Sequence, residues 1–122
     1  MTELRDVRVR LADMVENLRL AQEFCTRFSS PADLASDLMS QYAVLQALLI
    51  VGEAAKHVPS EVRALAPEIP WAAIAGMRDR LAHGYFEVDQ EMVWHSATVD
   101  APAAESRIRA LLARLDAEAG QA

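Results

Sequence analysis

The sequence predicts an all-α protein, an up-and-down bundle of four to five helices, on three observations. Ala and Leu dominate while Gly is scarce and runs of β-branched residues are rare, a bias toward helix over sheet. Apolar residues recur three, four and seven apart. Pro, Ser and Asp stand where such stretches stop and restart. At 122 residues, the chain has the size of one ordinary domain, and residues 1–122 are read as a single helical domain without internal repeat, low-complexity segment or linker.

The first helix is the clearest. Leu4, Leu11, Leu18 and Cys25 recur every seven residues, and Val7, Met14, Ala21 and Phe28 repeat the pattern three residues on. A repeat this long suggests packing at a shallow angle against another long helix. Ser29-Ser30-Pro31-Ala32-Asp33 then reads as a stop followed by a start, with Ser30 as N-cap, Pro31 at the first helical position and Asp33 complementing the dipole. The second helix is expected to run to about His57, with Leu34, Leu38, Leu45, Leu48 and Ala55 as its stripe. Tyr42 to Val51 should be buried on most sides, and Gly52 with Ala54-Ala55 permits close helix approach.

Pro59 ends that helix, Ser60–Leu65 reads as a short helical turn, and Pro67 and Pro70 bracket a loop. Trp71 to Ala82 reads as a fourth helix with Trp71, Ile74, Met77 and Leu81 on one side, disrupted by Gly84 just after His83. Asp89 caps a helix carrying Met92, Val93 and Trp94, and Pro102 interrupts or restarts it. Ile108, Leu111, Leu112 and Leu115 give the last helix its apolar face.

The single cysteine, Cys25, excludes an intrachain disulfide and fits a reducing compartment. The N-terminal residues have no apolar stretch behind a basic start, so no signal peptide is expected. The longest unbroken apolar run, Trp71 to Met77, is too short to span a bilayer. The expectation is a cytoplasmic protein with no membrane contact. A net charge of −6 excludes a general nucleic-acid binder, so any contact with RNA must use a small local cluster. All but one of the 12 basic residues are Arg, which suits bidentate phosphate contact.

His57, His83 and His95 are far apart, with no metal-ligand spacing, no CxxC, no phosphate-cradling Gly loop and no nucleophile elbow. No cofactor is expected. The stretch Arg78-Asp-Arg-Leu-Ala-His-Gly-Tyr85 is different, for it gathers two guanidiniums, a carboxylate, an imidazole and a phenol. With a helix carried through it, Asp79 and His83 are neighbours four apart, and Arg78 shares a face with Tyr85. Asp79 would then orient the His83 ring, Arg78 would meet a phosphate and Tyr85 would lend a hydroxyl. By spacing alone the bland reading stands beside this one: surface charges, a polar helix end and a tyrosine packed at a turn. Glu53 has two readings as well. It either pairs with Arg78 or Arg80 near a cleft, or is a surface carboxylate beside Lys56 and His57. Trp71 and Trp94 read as core or interface anchors.

The pattern Arg-x4-His-x-Tyr, as Arg78, His83 and Tyr85, resembles that of HepT-like toxins of the HEPN superfamily. The flanks agree: Leu49-Ile-Val-Gly-Glu-Ala-Ala-Lys56, Pro67-Glu-Ile-Pro-Trp71, Ile74-Ala-Gly-Met-Arg-Asp79, Tyr85-Phe-Glu-Val-Asp89 and Val93-Trp94 follow the family's order and spacing. The resemblance implies a HEPN-like helical bundle that forms a homodimer, with two Arg-x4-His motifs in a shared cleft. It implies a metal-independent endoribonuclease, the toxin of a toxin–antitoxin system of type II or VII character, whose partner is a minimal nucleotidyltransferase antitoxin. Under this resemblance Arg78, His83 and Asp79 are the catalytic set, and Arg80 is a supporting phosphate or RNA contact. Tyr85 is the residue to which the antitoxin transfers AMP. Two other readings of the same cluster are a non-catalytic nucleotide- or phosphate-binding module, in which His83 need not titrate, and a purely structural partner tolerant of Arg78→Ala.

Overall fold

Helix α1 (Thr2–Cys25) carries the seven-residue repeat as far as Cys25, and Phe28, the last member read in the sequence, lies past its end and is half-buried. In the computed structural model, which describes residues 2–83 and 87–121 (side chains of 2–5, 82, 83, 87 and 121 aside), Val7, Leu11, Met14, Leu18, Ala21 and Cys25 are all buried. The stripe packs against two other long helices, α3 (Leu38–Lys56) and α8 (Ala101–Gln121). Leu11, Leu18 and Leu48 are essentially inaccessible to water, each adding roughly 1.5–3 kcal/mol over an exposed side chain.

The expected second helix is two helices. Helix α2 (Pro31–Ala35) starts as the sequence requires: the Asp33 amide donates to the Ser30 Oγ at 3.0 Å, and Pro31 stands in the first turn. It stops at Ser36. Asp37 then caps α3 by accepting from the Ser40 amide at 3.1 Å. An Asp can satisfy an orphan N–H only by leaving helical geometry, so a new cap displaces the continuous helix. The restart shifts the phase, and Leu38 falls outside the stripe at 60% exposure; Tyr42 is also exposed. Leu34, Leu45, Leu48 and Ala55 are buried as the pattern demands.

By length and composition alone α3 is apolar enough to cross a membrane, with a mean hydropathy of 1.3, but half of that window is buried within the fold. A window average registers what a search for an unbroken run passes over. The helix ends at Lys56 and is followed by α4 (Ser60–Arg63), the short turn expected after Pro59. Arg63 joins the two: its Nε donates to the Val58 carbonyl at 2.9 Å and its Nη2 to the Ala55 carbonyl at 2.7 Å. Ala55 stands in the last turn of α3, where its carbonyl also accepts from the Val58 amide at 3.2 Å, and Val58 lies just past the helix end.

The remaining elements are short. Helices α5 (Trp71–Ala75) and α6 (Met77–Leu81) lead to β1 (Ala82–His83), which pairs antiparallel with β2 (Glu87–Val88) in the register Ala82–Val88 and His83–Glu87. Helix α7 (Gln90–His95) follows, capped as expected by Asp89, which accepts from the Met92 amide at 3.1 Å. A π-helical turn, Ser96–Asp100, links α7 to α8, and the Ala101 amide donates to the Ser96 carbonyl five residues back. Pro102 accounts for this turn. It has no N–H for the carbonyl four residues before it, and its ring crowds that carbonyl, so the ladder widens ahead of it. Pro102 therefore neither ends nor restarts the helix, and Val93, Ala97, Ala101, Ala104, Ile108, Leu111 and Leu115 form one buried face across the widened turn.

Candidate functional site

The expected helix Trp71–Ala82 is broken at Gly76 and finished at Leu81. Its seat is set by α3. A Cβ on Gly52 would lie 3.0 Å from the Ile74 carbonyl oxygen and 3.6 Å from the Met77 Cβ, so only glycine lets α3 approach the α5–α6 backbone this closely. Trp71, Ile74, Met77 and Leu81 fill the space beneath. Trp71 also donates from its indole Nε1 to the Ala66 carbonyl at 3.1 Å, fixing the loop ahead of α5; it is a core anchor.

With Met77 and Leu81 facing inward, Arg78 and Asp79 are exposed and Arg80 is half-buried. At roughly 100° per residue, Arg78 and Arg80 stand on opposite flanks of α6. Arg80 folds back toward α5, and its Nη2 donates to the Ala73 carbonyl at 2.7 Å. Its Nε is buried and has no partner among the described residues.

His83 lies in β1, its backbone paired with Glu87. The helical relation that would set Asp79 beside His83 is therefore absent: four-apart neighbours need a continuous helix, and this one ends two residues earlier. Tyr85, expected to share a face with Arg78, lies outside the described residues. Glu53 follows its surface reading, 3.2 Å from the His57 Nε2 and 4.0 Å from the Lys56 Nζ. His95 approaches Asp100 at 3.5 Å. Among the described residues, no group of three or more His, Cys, Asp or Glu side chains converges as metal ligands would. Burial pushes the Cys25 thiol up to about 11, which leaves little thiolate for nucleophilic or redox chemistry near neutral pH.

Arg107, one of the surface arginines of the last helix in the sequence, has a position that no spacing announces. It shares with Arg80 a cleft of about 360 Å³ between α5, α6, the π-turn and α8. Twenty-seven positions separate the two residues, and only tertiary packing, with α8 seated on α1 and the π-turn, brings them to one opening.

Comparison with known proteins bears on the same stretch. The profile of the ribonuclease HepT-like family matches residues 14–111, an interval that includes Arg78, His83, Tyr85 and Arg107. A protein of Thermococcus cleftensis named "Probable ribonuclease HepT" is 41% identical over 101 residues, covering 83% of this chain and 91% of that relative. A candidate RNase of Methanocaldococcus jannaschii is 36% identical over 98 residues, 80% of each chain. Another candidate RNase from the same organism is 31% identical over 112 residues, covering 92% of this chain and 96% of its own length. No solved structure matches the chain at a significant level.

Proposed function

From the premise that the chain belongs to the ribonuclease HepT-like family, we propose that it is a metal-independent endoribonuclease acting in the cytoplasm as a homodimer, the toxin of a toxin–antitoxin pair. The observation that carries this reading is the sequence Arg78-x4-His83-x-Tyr85 inside the family match, with Arg78 held exposed on α6 over a buried Met77 and Leu81.

In the proposed reaction a neutral His83 imidazole takes the proton of a ribose 2′-OH, and the 2′ oxygen attacks the adjacent phosphorus. The bond from phosphorus to the 5′ oxygen breaks, and an imidazolium, of the same residue or of the second copy, gives the leaving oxygen its proton. The products are a 2′,3′-cyclic phosphate and a 5′-hydroxyl. Arg78 stabilises the charge that builds on the phosphoryl oxygens. Asp79 has no role in orienting His83 through a helix and is left as an exposed carboxylate beside the site. A nucleotidyltransferase antitoxin silences the enzyme by transferring AMP from a nucleoside triphosphate to the Tyr85 oxygen, with pyrophosphate leaving. The added phosphate and bulk then lie in sequence beside the groups that must meet RNA.

Purified protein incubated with RNA in the presence of a chelator tests the enzyme. Cleavage that falls by roughly 10²–10⁴-fold in His83→Ala is the expected result, and undiminished cleavage by that variant overturns the assignment. Intact mass after co-expression with a candidate nucleotidyltransferase antitoxin tests the switch. Added AMP that is lost in Tyr85→Phe is expected, and an unchanged mass overturns modification as the means of neutralisation.

A further inference from the structure

The cleft shared by Arg80 and Arg107 is walled by Ala73, Ile74, Met77, Val99 and Ala104. We propose that it is a binding subsite for one nucleotide of single-stranded RNA next to the scissile phosphate, with the base among the apolar walls and a phosphate between the two guanidiniums. The proposal rests on the ribonuclease reading and adds a place on the enzyme where the substrate is held.

Four observations converge. The first is charge. In a chain of net charge −6, Arg19, Arg109 and Arg114 each lie within 4.0 Å of a carboxylate, whereas no such pairing exists for Arg80 or Arg107 among the described residues. Two guanidiniums without a close ion pair at one opening, against the single carboxylate of Asp100 there, favour an anion.

The second is the state of Arg80. Its bond to the Ala73 carbonyl fixes the guanidinium, while its buried Nε is without a partner. A cationic donor shut away from water and unbonded is costly, and an approaching phosphate with a small shift of the side chain relieves it. Asp100 also lines the cleft, 3.5 Å from the His95 Nε2, and with Asp89 and Glu91 it lines the adjoining opening on the other side of Arg80.

The third is size and polarity. A cleft of about 360 Å³ lies at the low end of the roughly 300–1,000 Å³ usual for ligand sites. That size suits a single nucleotide better than a duplex. Apolar walls with cations at the mouth suit a base pulled out of a stack, as in recognition of single strands. Val99, at 56% exposure, is an apolar surface of this kind left open to solvent.

The fourth is placement. Arg78 and Arg80 flank α6, whose full width is about 10 Å. A strand crossing its outer side has one phosphate at Arg78 while a nearby nucleotide enters the cleft on the other flank. Asp79, exposed between them, meets the strand at its ribose hydroxyls, which a carboxylate accepts as hydrogen bonds.

Fluorescence anisotropy with a labelled single-stranded RNA octamer, in a His83→Ala background that prevents cleavage, tests the subsite. Arg107→Glu is expected to weaken binding at least about 10-fold and to reduce the salt slope by about one. Val99→Trp, which fills the cleft without altering charge, is expected to weaken binding as well. Wild-type affinity in both variants overturns the subsite, even if the ribonuclease reading stands. A dimer that dissociates in Arg107→Glu on sedimentation, with octamer affinity unchanged, also overturns it, by giving the cleft to a second copy of the chain. Arg107-dependent binding by a protein whose wild type cleaves no RNA retains the subsite and overturns the ribonuclease reading.

Discussion

Two corners of this molecule are each held by an arginine bonded to main-chain carbonyls, and they differ in how fully the guanidinium is used. At the α3–α4 corner Arg63 donates from both Nε and Nη2, to Val58 and Ala55. At the α5–α6 corner Arg80 donates from Nη2 to Ala73, while its buried Nε is unpartnered. Residue type and contact type are the same. The first joint closes the end of a helix and is complete. The second fixes a cation in place and holds donor capacity in reserve beside an open cleft. If the cleft binds a nucleotide as proposed, accounting for each donor separates a structural arginine from a ligand-binding one, a distinction that burial alone does not draw.

The sharpest test of this contrast lies on the functional corner. Arg78→Ala should lower RNA cleavage by about 10²–10³-fold, the range for removing one charge-stabilising donor, while stability stays within about 0.5 kcal/mol because the side chain is exposed. Steady-state kinetics alongside urea unfolding checks both halves. A large loss of stability would return Arg78 to the structural class.

Gly52→Ala comes next. Its Cβ would meet the Ile74 carbonyl at 3.0 Å, and the overpacking should cost about 1–3 kcal/mol while displacing α5 and α6. Stability and cleavage should fall together, which distinguishes it from Arg78→Ala. Arg63→Ala should cost about 1–3 kcal/mol, chiefly from the Val58 carbonyl that loses its side-chain donor, since the Ala55 carbonyl keeps the Val58 amide, with cleavage per folded molecule unchanged. Loss of cleavage in that folded variant would break the division between the corners. The smallest effect is expected at Asp37→Ala, about 1 kcal/mol for a lost N-cap, read from the shift of the urea midpoint.

Much of the scaffold was legible because local physics and tertiary packing agree there. The seven-residue repeat of α1, the Ser30 and Asp89 caps and the Met77–Leu81 pair each satisfy the chain locally and bury the right face. Legibility ended where a local choice competes with helix continuation. Asp37 caps where the pattern ran on, Gly76 breaks a helix that periodicity joins, and the β1–β2 ladder replaces helix at His83. At the site, the motif around Arg78 was visible because its residues are consecutive. The convergence of Arg107 on Arg80 was not, because it is set by the packing of a distant helix and leaves no periodic trace.

The π-turn ahead of Pro102 gears the two halves of the C-terminal rod to one another. Tightening Ser96–Asp100 to ordinary α pitch with all its residues retained would turn the 21-residue α8 by roughly 100° about its axis relative to α7. Ile108, Leu111 and Leu115 would rotate out of the core, and in the same motion Arg107 would swing away from Arg80. Core and cleft share one mechanical phase, so a single-residue slip in this turn disengages both.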